Sequence, residues 1–167
     1  MLRQFLVGLV ALCSVGAIAA ETFSAPVVGV SDGDTVTVLH DRQQIRVRLS
    51  EIDAPEKNQP FGQRSKQSLS ELCFGVEAKI HVIGQAKKYA VTDTPRQVAR
   101  VECKGIDVNA EQVRRGMAWV YDQYVTDRSF YVLQDEARYS RRGLWMDEDP
   151  VAPWMWRRDR RHSSARK

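Results

Sequence analysis

Between residues 26 and 52, apolar side chains recur at alternate positions in short runs separated by turn residues. Val27-Val28-Gly29-Val30 leads into Ser31-Asp32-Gly33-Asp34, and Thr35 to Leu39 is β-branched and alternating. After a polar connection at 40–44, Ile45-Arg46-Val47-Arg48-Leu49 alternates apolar and basic residues, which places both arginines on one face of a strand. Pro55 breaks that strand, because the residue before a proline avoids the helical region. Over 62–74 the spacing becomes helical, with Leu69, Leu72 and Cys73 on one face and Gly75 as a stop. Strands are expected again over 79–83 and 98–103, separated by a polar loop at 84–97. Asn109 is expected to cap a short helix, with Gln112 as its capping-box partner and Gly116 as its end. Ala118 to Tyr121 reads as extended. Asp127 is expected to cap a last helix reaching Arg142, with Phe130, Leu133 and Ala137 on its inner face and Gly143 as its stop. Five strands and three helices, strands first, give an α+β class with a small β-barrel.

The first twenty residues do not follow this pattern. Arg3 precedes a run from Phe5 to Ala20 that is apolar or small apart from Ser14, and Ala17-Ile18-Ala19 offers a small-x-small cleavage site. Residues 1–20 read as a secretory signal peptide. The alternative is a membrane anchor, but the run falls short of the roughly 20 apolar residues that span comfortably, and no basic stop follows. Cys13 sits in a sequence like a lipoprotein box, with Leu12 too large for the position before it. Export to a periplasm or the exterior is expected, with no stable membrane insertion after cleavage. Cys73 and Cys103 then remain as an even pair, which suggests a disulfide in an exported chain, two buried thiols being the alternative. Closing that loop would contribute about 3–4 kcal/mol. With no histidine near them, the two cysteines make a poor zinc site.

Composition adds limits. The chain has 167 residues and is 43% hydrophobic, enough for a core, which excludes wholesale disorder. Its net charge of +4 invites a polyanionic partner. The distribution qualifies this: residues 157–167 hold six Lys or Arg against one Asp, while residues 21–156 hold 18 basic against 20 acidic residues. The chain therefore reads as a slightly acidic domain at 21–156 with a basic tail at 157–167, and the tail is expected to be disordered.

Two segments carry the candidate chemistry, 30–36 and 48–56. By itself Asp32-Gly33-Asp34 is a tight turn. It is not an EF-hand loop: counted from Asp32, the sixth position is Thr37 rather than glycine and the twelfth is Gln43 rather than glutamate. If the barrel gathers Asp34, Asp53 and Glu56, three carboxylates repel unless a cation or protons intervene. Hard oxygen donors suit Ca²⁺ or Mg²⁺. Arg48 on the adjoining strand would then serve as a phosphate clamp, since a guanidinium donates bidentately to phosphate oxygens. His40, His81 and His162 are scattered and form no histidine-based catalytic pattern.

At this point the sequence resembles the thermonuclease (staphylococcal nuclease-like) family. The resemblance rests on Asp32-Gly33-Asp34-Thr35-Val36, on Arg48-Leu49 through Ile52-Asp53-Ala54-Pro55-Glu56, and on Gln59-Pro60-Phe61-Gly62. It continues through Val108-Asn109 to Gly116, Ala118-Trp119-Val120-Tyr121 and Arg141-Arg142-Gly143-Leu144-Trp145, covering about residues 25–156. It implies a five-stranded OB-type β-barrel with three α-helices and calcium-dependent hydrolysis of DNA and RNA with little sequence preference. Carried over by position, Asp34, Asp53 and the backbone carbonyl of Ala54 would hold calcium, with Asp32 in the outer shell. Glu56 would accept a proton from the attacking water, or orient it. Arg48 and Arg96 would grip the phosphate, with Arg100, a strand residue expected on an exposed face, as the alternative to Arg96, and Tyr124 would contact the nucleotide. One departure stands out: where the family carries an Asp-Arg-Tyr-Gly-Arg-like loop, this chain has Thr92-Asp93-Thr94-Pro95-Arg96-Gln97, so proline replaces glycine beside Arg96. A monomeric endonuclease is the leading expectation. A noncatalytic OB-type nucleic-acid-binding module is the alternative, and an envelope adhesion domain whose tail docks on anionic lipid is a weaker third.

Overall fold

The computed structural model describes residues 21–85 and 96–164. The expected signal peptide at 1–20, the loop residues 86–95 and the last residues 165–167 lie outside the described residues. Five strands close into a barrel: β1 (Thr22–Asp32), β2 (Thr35–His40), β3 (Gln43–Leu49), then β5 (Glu77–Gln85) and β6 (Arg96–Cys103). The order β3-β2-β1-β5-β6 closes through a parallel β3–β6 pairing, in which Arg46 faces Arg96 and Arg48 faces Val98. Alternation explains the closure: Val27, Val36, Val38, Val47, Leu49, Ile80, Ala99 and Val101 point inward and are almost fully buried. The expected α+β barrel is thus present. Of three two-residue strands among the described residues, β7 (Ile106–Asp107) pairs with β6, while β4 (Ile52–Asp53) and β8 (Trp119–Val120) pair with each other as a separate ribbon.

Helices pack against this core. In α1 (Gly62–Cys73), Leu69 and Leu72 are buried, and Cys73 is joined to Cys103 at the end of β6 by a disulfide with Cα atoms 5.5 Å apart. α3 (Ser129–Tyr139) inserts Phe130. It stops three residues short of Arg142, because the chain turns back there. Leu144 N–H donates to the Gly116 carbonyl at 2.8 Å, and a Cβ on Gly143 would stand only 2.2 Å from that same oxygen.

Two expectations are corrected. α2 (Val108–Arg114) is capped by Asp107, whose carboxylate accepts the Ala110 N–H at 3.1 Å, rather than by Asn109. Asn109 and Gln112 face inward instead, as described below. The second correction concerns the tail. Residues 157–164 are not a disordered appendage; they continue α4 (Pro153–Ser164). Proline is favoured at the first helical position. Pro153 and the preceding Ala152 are buried, and this buried start seats the arginine-rich turns that follow against the domain. No described helix is long and apolar enough to cross a membrane.

Candidate active site

The β1–β2 turn, the end of β3 and strand β4 meet at one place. Asp34 is the second residue of the two-residue turn that joins Asp32 to Thr35. Its N–H bonds the Asp32 carboxylate at 3.2 Å, and its carbonyl accepts the Leu49 N–H at 2.8 Å, so turn and β3 are fixed together. Gly33 permits this arrangement. A Cβ there would lie 1.7 Å from Ser65 Oγ and 2.9 Å from Ala54 Cβ. The Gly33 carbonyl is held by the buried amide of Gln112 at 2.7 Å, which also donates to the Ser65 carbonyl at 3.1 Å.

Within this frame the carboxylates converge through guanidinium groups. Arg48 donates to Asp34 Oδ1 at 3.2 Å and to Asp53 Oδ1 at 2.7 Å. The Ala54 N–H bonds Asp34 Oδ2 at 2.9 Å, and the Thr35 hydroxyl bonds Oδ1 at 2.9 Å. Asp53 is fully buried. A second guanidinium, Arg157 of α4, which the sequence pattern does not connect with the site, grips Asp53 at 2.6 and 3.2 Å and donates to Glu56 at 2.7 Å. Three carboxylates and two guanidiniums therefore form one cluster.

The electrostatics follow from this packing. Burial, and then the neighbouring Asp34 charge, push the Asp32 carboxyl up to about 7. Burial also raises Asp53, against the pull of its Arg157 and Arg48 bonds. The Asp34 carboxylate holds the Arg48 guanidinium firmly protonated. Among the described residues, no three His, Cys, Asp or Glu side chains close on a common point in the manner of a ready metal site. The donor chemistry nevertheless fits a hard divalent cation. Asp34 and Asp53 are buried oxygen donors on either side of Arg48, the hard ligand type that such a cation takes.

The remaining candidates are spread around this cluster. Arg96 opens β6 beside Arg46, and its side chain makes no hydrogen bond or ion pair among the described residues. Arg100, two turns of the pleat further on, is held by Glu51 at 2.8 Å, Asp107 at 2.8 Å and Asp127 at 3.3 Å, and lies over the Phe130 ring. That makes it a structural residue rather than one on an open face. The aromatic run adjoins the site because β4 pairs with β8, Asp53 opposite Trp119. Tyr124 is 55% exposed and meets Tyr121 edge-on, and Tyr121 in turn stacks flat on Trp154 of α4.

The chain is similar to known proteins over most of its length. The family model described as staphylococcal nuclease homologue matches residues 46–147. The chain belongs to the staphylococcal nuclease family. Among its relatives, an uncharacterized endonuclease of Escherichia coli O157:H7 is 45% identical over 132 residues, covering 78% of this chain and 82% of that protein. A micrococcal nuclease of Shigella flexneri is 42% identical over 141 residues, 81% of each. An uncharacterized endonuclease of Haemophilus influenzae is 39% identical over 146 residues, 87% of this chain and 79% of that one. The family match ends at Asp147, before α4. Arg157, which touches two of the three site carboxylates, lies beyond the matched segment, as Asp34 lies before it.

Proposed function

We propose that this protein is an exported, calcium-dependent endonuclease that hydrolyses phosphodiester bonds of DNA and RNA with little sequence preference. The observation that supports it most is the convergence of Asp34, Asp53 and Glu56 with Arg48 at the β1–β2 turn of a staphylococcal nuclease barrel. Asp34, Asp53 and the Ala54 carbonyl would hold the cation, with Asp32 behind them, and the bound cation would polarise a phosphoryl oxygen. Glu56, partly exposed at the edge of the cluster, accepts a proton from the attacking water as its oxygen bonds to phosphorus and one ester P–O bond breaks. Arg48 donates to the non-bridging oxygens, where negative charge grows in the transition state. Arg96 enters from the neighbouring strand as a second donor, and Tyr124 offers a ring on which a base stacks irrespective of sequence. Export is supported by the Cys73–Cys103 disulfide, a bond that persists in oxidising compartments.

Purified protein is incubated with single-stranded DNA and with RNA, in calcium and in chelator. Cleavage of both polymers in calcium alone is expected. Salt-dependent binding without turnover in either condition would replace the nuclease reading with that of an OB-type binding module.

A further inference from the structure

Helix α4 is docked on the site by its first turn. The Val151 carbonyl before it accepts the Gln59 side-chain amide at 2.6 Å, and Gln59 itself takes the Glu56 N–H at 3.1 Å. One helical step on, Trp154 stacks on Tyr121 with centroids 5.4 Å apart. Arg157 lies three residues further, on the same face, and reaches Asp53 and Glu56. Beyond it, Arg157, Arg160 and Arg161 form one wall of an open cleft of about 340 Å³, with Lys57, Asn58 and Glu56 opposite. Three arginines and Lys57 line this cleft against one acidic residue, Glu56, although residues 21–156 are acidic on balance.

The charge count gives Arg157 a second state. The three carboxylates that touch the two guanidiniums, Asp34, Asp53 and Glu56, leave that contact set negative by one, with Asp32 outside it behind Asp34. A divalent cation on Asp34 and Asp53 would make it positive by one and leave one guanidinium in excess. Arg48 is rooted in the barrel and bridges both aspartates, whereas Arg157 stands on the surface of a helix, one third exposed. The planar fork that now grips Asp53 by two nitrogens fits a phosphate equally well.

We propose that Arg157 is a substrate-binding residue. It rests on Asp53 and Glu56 in the cation-free protein and transfers to the substrate phosphate when a divalent cation takes the carboxylates, while Arg160 and Arg161 hold the next backbone phosphate in the cleft. This rests on the nuclease reading above. Arg157 and Arg161 are about 6 Å apart along the helix axis, which suits neighbouring phosphates of one strand.

The test uses the full chain and a hydrolysis-resistant phosphorothioate oligothymidylate of about twelve nucleotides. In calcium, Arg157→Gln is expected to weaken its binding roughly tenfold, and Arg157→Lys is expected not to restore it, since an ammonium lacks the fork. The double variant R160Q/R161Q is expected to lower the salt slope of binding by about 1.4. Without nucleic acid, Arg157→Gln is expected to bind calcium more tightly than the natural chain, because the competing guanidinium is gone. If Arg157→Gln binds the oligonucleotide as well as the natural chain does in calcium, Arg157 is only a counter-ion and the proposal fails. Melting curves establish that each variant folds, and Arg157→Lys, which keeps the charge over Asp53, carries the test where the glutamine variant does not. Hydrolysis of ordinary oligothymidylate by the natural chain is scored separately. Cleavage with no effect of the arginine variants overturns this inference alone, and no cleavage with weakened binding by Arg157→Gln overturns the nuclease reading alone.

Discussion

Glu56 and Glu51 are five residues apart, and their surroundings give them opposite tasks. Glu56 stands at the edge of the cluster with one charged partner, open to a water and a phosphate. Glu56→Gln is expected to lower kcat by about 10²–10⁴ while leaving the melting curve in place. Unchanged kcat would remove Glu56 from the role of proton acceptor. Glu51 is buried, and at its positive φ of 67° it turns the chain between β3 and β4. Burial pushes its carboxyl upward, but this is outweighed by the N–H groups of Asp127 and Thr126, the Thr126 hydroxyl and Arg100, which together hold it below the usual carboxylate range. A carboxylate depressed in the folded state contributes stability above its unfolded value and loses it as pH falls through the folded one. Glu51→Gln is therefore expected to cost about 1.5–3 kcal/mol at pH 7. The difference from the natural chain should shrink below about pH 4, as read by urea denaturation in chelator at both pH values. A constant difference across that range would show that shape, not charge, is what Glu51 supplies. Asp32 shifts in the other direction, but it is common to both proteins and drops out of the comparison.

At the scale of elements, the parts legible in the sequence are those that obey a period. The alternation of Val36 and Val38, and of Val47 and Leu49, announces barrel strands, and it sets Arg46 and Arg48 on the outer face where β3 meets β6. Turn chemistry announces the placement of Asp34. The misread parts are polar residues that point inward. Asn109 and Gln112 have the spacing of a capping box, yet Asn109 accepts the Val101 N–H at 3.0 Å and donates to the Ser50 carbonyl at 3.0 Å, tying α2 to β6 and to the turn after β3. A buried amide and a capping amide look alike in a sequence, because only tertiary packing distinguishes them. The same holds for α4, where four arginines conceal the anchors Pro153 and Trp154. The spacing of Trp154, Arg157 and Arg161 on one helical face was the available signal. Gln112 lets this be tested, since it carries the turn that presents Asp34: its amide holds the Gly33 carbonyl, and its carbonyl accepts the Ser68 hydroxyl at 2.7 Å. Gln112→Leu is expected to destabilise by about 1–3 kcal/mol, the cost of leaving buried partners unmatched. It is also expected to lower kcat, because the turn loses its tether. A melting temperature and a kcat that both match the natural chain would show that the turn is held by Gly33 packing alone.

For the whole molecule, the charge pattern and the disulfide occupy different ends of one design. The arginines of residues 157–161 are not a trailing polycation, because α4 brings them beside the acidic cluster of a domain that is otherwise slightly negative. The disulfide acts elsewhere, joining the end of α1 to the end of β6 across a sequence separation of 30 residues. Both cysteines are buried in the main core, packed with residues such as Ala78 and Val101, and none of the hydrogen bonds that hold Asp34, Asp53 and Glu56 involves them. The bond limits the unfolded chain more than it shapes the site, so its removal should act on stability and spare the chemistry. For the double variant Cys73→Ser/Cys103→Ser, a loss of about 2–4 kcal/mol is expected, which lowers the melting temperature by roughly 5–15 °C in a domain of this size. At a temperature where both forms are folded, kcat and KM should match those of the natural chain. A large loss of rate at full folding would mean that α1 transmits the bond to the site, through Ser65 and the Gly33 turn that packs on it. In that case Ser65→Ala should reproduce the loss without touching the disulfide.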